Sequence, residues 1–154
     1  MDTNEFAARM EKLKNRLYRT ALLYLGSESM AFDAVNEAVY RGFLSLRKLR
    51  RPEYFETWAT RILINECKKE LRRRKREQPL DTLPETAAEG IDSLPLKEAI
   101  ALLPQELKEV IILRFFHGLK LSETAECLSI PQGTVVTRQR RALCLLKLEL
   151  SEEE

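Results

Sequence analysis

The chain has 154 residues, a formal net charge of +2 and an apolar content of 44%. That length allows one domain or two small ones, and the 5 glycines and 6 prolines are few for an all-β protein. No stretch approaches a membrane span, no signal peptide opens the chain, and three scattered cysteines, Cys67, Cys127 and Cys144, point to a reducing cytoplasm.

The small net charge conceals blocks of unlike sign. Residues 1–75 carry 17 Lys and Arg against 10 Asp and Glu, residues 76–96 carry 1 against 5, and residues 97–154 carry 8 against 9. Such blocks suggest lobes with different partners. His117, the single histidine, shows no metal-ligand spacing with the cysteines, and Cys127 and Cys144 read as small core hydrophobes. The acidic residues form no convergent carboxylate set, so neither an enzyme, a metal site nor a cofactor is expected.

Three helices are predicted in the first block. Phe6, Met10, Leu13, Leu17, Ala21 and Tyr24 recur at steps of four and three, and Gly26 and Ser27 break the run. A second helix carries Val35, Ala38, Val39, Phe43 and Leu46 on its buried side before RKLRRPEY interrupts it. Pro52 suits the first position of a third helix, with Glu53 and Glu56 near its positive end. Phe55, Trp58, Ala59, Ile62 and Leu63 supply that helix with an apolar stripe. It closes on KKELRRRKR, residues 68–76, where 7 of 9 residues are basic. A solvated helix end would account for a few of these charges. Their density favours a surface for nucleic acid or an acidic protein.

Residues 77–95 hold three prolines, one glycine, five acidic residues and no basic ones, which predicts an extended linker. Helices resume near Leu96, with Pro104 at another helix start. Val110, Ile111, Leu113, Phe115 and Phe116 are expected to feed a second small core.

Residues 121–147, LSETAECLSIPQGTVVTRQRRALCLLK, read as two short helices across a tight turn, the layout of a helix-turn-helix. Leu121, Ala125 and Leu128 share one face, continued by Ile130 and Val135. Pro131 ends the first helix before Ile130 and fits the first position of the second. Ser129 stands where such turns usually carry glycine, which predicts a looser turn. Thr134, Thr137, Arg138, Arg140 and Arg141 form the polar surface of the second helix, with side chains suited to phosphates and base edges. A helical hairpin with a merely solvated basic face is the plain alternative.

These segments, in this order, resemble a bacterial sigma factor of the extracytoplasmic-function group, the smallest members of the sigma-70 family, from about Leu17 to Leu148. AFDAVNEAVYRGFLSL, residues 31–46, is similar to the family's clamp-binding helix. Asp33 and Glu37 match its acidic positions, Asn36 replaces the usual glutamine and Phe32 the usual glutamate. FETWATRILINECKKELRRRKR, residues 55–76, matches the family's strand-opening segment at Phe55, Trp58, Arg61, Ile62 and Asn65, with Lys69 in place of an aspartate. In the last block Gly118, Ala125, Pro131, Gly133, Thr134, Val135, Arg138, Arg141 and Ala142 match the minus-thirty-five reader. Thr137 replaces a serine there, and Val136 a Lys or Arg.

The resemblance implies an all-α chain of two small helical domains joined by an extended linker. Residues 1–76 would be a three-helix region 2, residues 77–95 the acidic, proline-containing linker, and residues 96–150 a helix-turn-helix region 4. It implies no enzymatic activity. Asp33, Asn36 and Glu37 would bind core RNA polymerase at its clamp, and the second domain would meet its flap. Arg61, Asn65, Lys68 and Arg72 would handle minus-10 DNA, with minus-10 choice set by the loop at residues 47–54. Thr134, Thr137, Arg138, Arg140 and Arg141 would handle minus-35 DNA. The linker acids Asp81, Glu85, Glu89 and Asp92 would mimic nucleic acid in the RNA-exit path. An anti-sigma factor, often membrane anchored, would hold the factor until an envelope stress releases it. A stand-alone helix-turn-helix regulator is the competing reading, and it leaves the first three helices without a role.

Overall fold

The computed structural model describes residues 1–77 and 94–152. They fall into two compact units, one within residues 1–87 and one within residues 88–154. Among the described residues all regular structure is helical. The expected linker, with Asp81, Glu85, Glu89 and Asp92, lies outside the described residues except at its ends. There the helix that precedes it runs through Glu77 and the next begins at Leu94.

The first unit packs three helices: α1 (Thr3–Leu25), α2 (Glu28–Leu44) and α3 (Phe55–Glu77). Asp2 caps α1, its Oδ1 accepting from the Glu5 N–H at 2.8 Å. Gly26, at φ 71°, ends α1 in the left-handed conformation that glycine enters freely, and its N–H closes on the Leu22 carbonyl. Ser27 then caps α2 through Oγ. Phe6, Met10, Leu13, Leu17, Ala21 and Tyr24 are all buried, as their spacing requires.

The buried side of α2 differs from the expected one. It consists of Ala31, Ala34, Val35, Ala38 and Gly42, while Phe43 is about half exposed and Leu46 belongs to a 3-10 turn, Leu46–Lys48. The cause is close packing. A Cβ at Gly42 would stand 3.4 Å from the Phe6 ring and 3.6 Å from Trp58, so only small residues let α2 approach its neighbours. Phe6, Phe55 and Trp58 form a chain of ring contacts behind it at 6.0 and 5.9 Å between centroids. Trp58 is therefore a core residue. Pro52 opens a second 3-10 turn, Pro52–Tyr54, and not α3 itself.

The second unit contains α4 (Leu94–Leu102), α5 (Gln105–Ile111), a π turn (Ile112–Phe116), α6 (Leu121–Leu128) and α7 (Gln132–Glu152). Its core joins Ala99, Ile100, Leu103, Leu107 and Ile111 to Ala142 and Leu146 of α7. Pro104 precedes α5, its carbonyl accepting from the Leu107 and Lys108 N–H groups. Val110, Ile111 and Leu113 are buried as expected, but Phe115 is 52% exposed. The π turn shifts the helical register there, and the Phe115 ring turns outward under the Arg114 guanidinium, 5.8 Å away. Cys144 is likewise exposed, not a core residue, because it lies on the side of α7 opposite Val135, Ala142 and Leu146.

Candidate nucleic-acid and partner interfaces

The turn between α6 and α7 is fully formed. Ser129 adopts φ 56° and ψ 44°, its N–H meets the Glu126 carbonyl at 3.3 Å, and the Ile130 N–H meets the Ala125 carbonyl at 3.1 Å. That pair of bonds closes the end of α6 on its own backbone, so the turn holds its shape despite serine and is not loosened as expected. Pro131 stands one residue before α7 rather than inside it. Its carbonyl accepts from the Thr134 and Val135 N–H groups, which nucleates the first turn. At the other end of α6, the Glu123 carboxylate accepts from the Lys120 N–H at 2.8 Å.

On α7, Thr137, Arg140 and Arg141 are exposed, whereas Thr134 and Arg138 are partly buried. Arg138 leans toward α5, with Nη2 3.7 Å from the Glu106 carboxylate. The Thr137 hydroxyl donates to the Gly133 carbonyl at 3.1 Å, so as placed it offers a methyl group and an acceptor to the outside. Val136 adds an apolar edge to this face. A Cβ at Gly133 would meet nothing within 4 Å, so the first turn of α7 is open to close approach from outside.

In the first unit, Arg61, Asn65, Lys68 and Arg72 follow one another along α3 at steps of four, three and four, which stacks them on one face. Arg61, Asn65 and Arg72 are exposed and Lys68 is partly buried. Arg72 Nε lies 3.4 Å from the Lys68 carbonyl. Asn65 and Arg72 open into a cleft of about 370 Å³ between α2 and α3, shared with Arg41, Glu66 and Lys69 and with the apolar Leu44 and Ile62. An amide, cations and an apolar wall together suit a base and its phosphate.

Asp33 and Asn36 are exposed on α2, and Glu37 is half-buried beside Arg41 at 3.1 Å. Around them stand Phe32 and Tyr40, 61% and 58% exposed, and a groove between α1 and α2 lined by Met10, Asn36, Val39, Tyr40 and Phe43. Exposed aromatics beside carboxylates make a surface fit for a protein partner.

Glu66, the residue that joins the two helices across this cleft, did not emerge from sequence reasoning. Glu66 is only 6% exposed, with Arg41 Nε at 2.8 Å and Lys69 Nζ at 3.2 Å. The signal was available: Glu66 falls in register with Phe55, Ala59 and Leu63, a charge on the buried stripe. Beneath it, burial pushes the Cys67 thiol far above its ordinary value, and the Glu66 and Glu70 carboxylates push it further. Burial alone lowers the Lys108 ammonium in the second unit. Among the described residues no group of three metal-ligating side chains converges, and no helix is long and apolar enough to cross a membrane.

Comparison with known proteins agrees with this geometry. The family model for Sigma-70 region 2 matches residues 10–77 and that for Sigma-70, region 4 matches residues 99–148. RNA polymerase sigma factor SigV of Bacillus subtilis is 33% identical over 92% of this chain and 88% of its own length. The ECF RNA polymerase sigma factor SigW of the same organism is 28% identical over 98% and 91%. Among solved structures, the fold resembles the sigma factor RpoE from Bartonella quintana, determined with the anti-sigma factor NepR. The TM-score is 0.85 at 20% identity, over 99% of this chain and 100% of that one. It also resembles CnrH, determined with the cytosolic domain of CnrY, at a TM-score of 0.77 and 20% identity over 99% and 92%. The chain belongs to the extracytoplasmic-function group of the sigma-70 family, transcription-initiation factors rather than enzymes.

Proposed function

We propose that this chain is a promoter-specificity subunit that binds core RNA polymerase, directs it to particular promoters and helps open the minus-10 region in the cytoplasm. The observation that carries this reading is the α3 stripe Arg61–Asn65–Lys68–Arg72 beside a cleft roomy enough for a nucleotide. A self-sufficient duplex reader has no use for it. Flipping a base out of the stack costs a few kcal/mol, which hydrogen bonds from Asn65 and cationic contacts to the flanking phosphates offset. Asp33, Asn36 and Glu37 dock the polymerase clamp, and the second unit meets the flap. Thr134, Thr137, Arg138, Arg140 and Arg141 hold the minus-35 duplex. Residues 1–76 and 96–150 act as the two domains, with 77–95 as the tether between them.

An anti-sigma factor covers the exposed aromatic side of α2 until a cell-envelope signal releases the chain. Support comes from the relatives solved in such complexes and from the apolar groove between α1 and α2. A membrane anchor on that partner would hold the complex at the membrane.

The test is run-off transcription with core polymerase on promoters selected from genomic fragments. Specific starts that require this chain are expected, and their absence from every fragment overturns the reading. A gel shift without polymerase separates the alternative: a stand-alone regulator shifts duplex DNA tightly, whereas this chain is expected to give a weak specific shift or none.

A further inference from the structure

We propose that Glu66 is a positioning residue which, through Arg41, couples the polymerase-facing helix α2 to the promoter-facing helix α3. The inference rests on the functional reading of those two helices.

Glu66 occupies a place on the buried stripe of α3 where an apolar side chain would pack. A buried carboxylate is costly unless it is paired, and here Arg41 from α2 and Lys69 from α3 both reach the same oxygen, Oε1. An apolar residue would fill the space without that cost. What the charged bridge adds is direction: a hydrogen-bonded pair tolerates little change in angle, whereas packed methyl groups slide. Arg41 is also shared. The same Nε stands 3.1 Å from Glu37 Oε1, one turn earlier on α2. Two carboxylates thus compete for one N–H. When a cation of the polymerase engages Glu37, Arg41 is left to Glu66 alone, and α3 is held in one setting against α2. Asn65 is the neighbour of Glu66 in sequence, and both line the cleft with Arg72. Docking on α2 therefore presets the side chains that meet the opened strand, which is a coupling between two binding surfaces.

The decisive variant is Glu66→Met in the full chain, assayed with core polymerase on a promoter that the wild type opens. Its thermal midpoint should equal or exceed that of the wild type, because an apolar side chain of similar size replaces a buried carboxylate while the cations it leaves, Arg41 and Lys69, are about half exposed to water. Polymerase affinity should fall modestly, because Arg41 is then left to Glu37, so opening is compared at saturating factor, where permanganate reactivity at the minus-10 region still falls by roughly fivefold or more. Glu66→Gln, which keeps an acceptor for Arg41, should restore part of the opening. Glu66→Met that opens like the wild type overturns the inference, as does a loss of opening that merely tracks a loss of stability. Should Glu66→Met not fold, Arg41→Gln and Glu66→Gln are combined. Losses that overlap in the double variant support the coupling, and strictly additive losses overturn it. A wild type that opens no promoter overturns this inference together with the proposed function. A wild type that opens while Glu66→Met opens equally well overturns this inference alone.

Discussion

Arg114 Nε donates to Gln139 Oε1 at 2.9 Å, fastening the π turn after α5 to the middle of α7. The same guanidinium donates through Nη1 to the Leu119 carbonyl at 2.7 Å, so one side chain spans the π turn, the loop before α6 and the helix proposed to face DNA. Arg114→Ala leaves both acceptors unmet in a partly buried setting. A loss of about 2–3 kcal/mol is expected for the second unit, measured by urea unfolding of the full chain followed by helical circular dichroism.

Ser129 holds a left-handed conformation that costs a residue with a side chain about 1–2 kcal/mol. Ser129→Gly removes that cost and adds some freedom to the unfolded chain, so a net gain of up to about 1 kcal/mol is expected. Ser129→Val should move the thermal midpoint the other way. A glycine variant no more stable than the wild type would place the strain elsewhere.

Gly42 separates two effects of size. Ala at this place brings better helix propensity and a Cβ at 3.4 Å from the Phe6 ring, so Gly42→Ala is expected to be neutral or slightly stabilising. Gly42→Leu drives a branched side chain into Phe6 and Trp58 and should cost about 1–3 kcal/mol in equilibrium unfolding.

Arg141 and Arg138 should behave differently on promoter DNA. Arg141 is exposed, so Arg141→Ala is expected to weaken binding of the polymerase complex by about 1–3 kcal/mol and, if its partner is a phosphate, to lower the salt slope by about one. Arg138 is partly buried beside Glu106, so Arg138→Ala should lower stability as well as DNA affinity. Footprinting across a salt series together with thermal unfolding distinguishes the two.

The three cysteines offer a test of burial. Cys144 is exposed, whereas Cys67 and Cys127 are buried and the Cys67 thiol is held protonated by its surroundings. At neutral pH a maleimide should label one thiol per folded chain, at Cys144, and all three only in denaturant. Rapid labelling of Cys67 in the folded chain would contradict the packing of α3.

The helices of the first unit were legible because Phe6 to Tyr24 and Phe55 to Leu63 repeat at the helical period, and Gly26 with Ser27 punctuates them. The basic run at residues 68–76 was legible from its charge density, and the layout of α6 and α7 from their apolar faces and the proline between them. Phe43, Phe115 and Cys144 were placed wrongly by composition. Each is apolar, and each sits at an angle that neighbouring residues decide: the small face of α2, the register shift of the π turn, the outer side of α7. Ser129 was expected to loosen its turn, yet the Ile130–Ala125 backbone bond closes it, and backbone bonds leave no mark on residue type. The approach of Arg138 to Glu106 joins residues far apart in the chain. Glu66 was overlooked because an acid just before a basic run reads as surface until its place on the apolar stripe is counted.

The inner side of α2 is built from three alanines, Val35 and Gly42, and this leaves its aromatic residues for the outside. Phe32, Tyr40 and Phe43 are thereby turned toward water by the packing that makes the domain compact. The helix is inside-out: what a folded domain ordinarily hides, this one displays. Such a chain is at its least sociable only in company. Kept alone and concentrated, it should stick to its own copies through that stripe, and a partner seated there should keep it single.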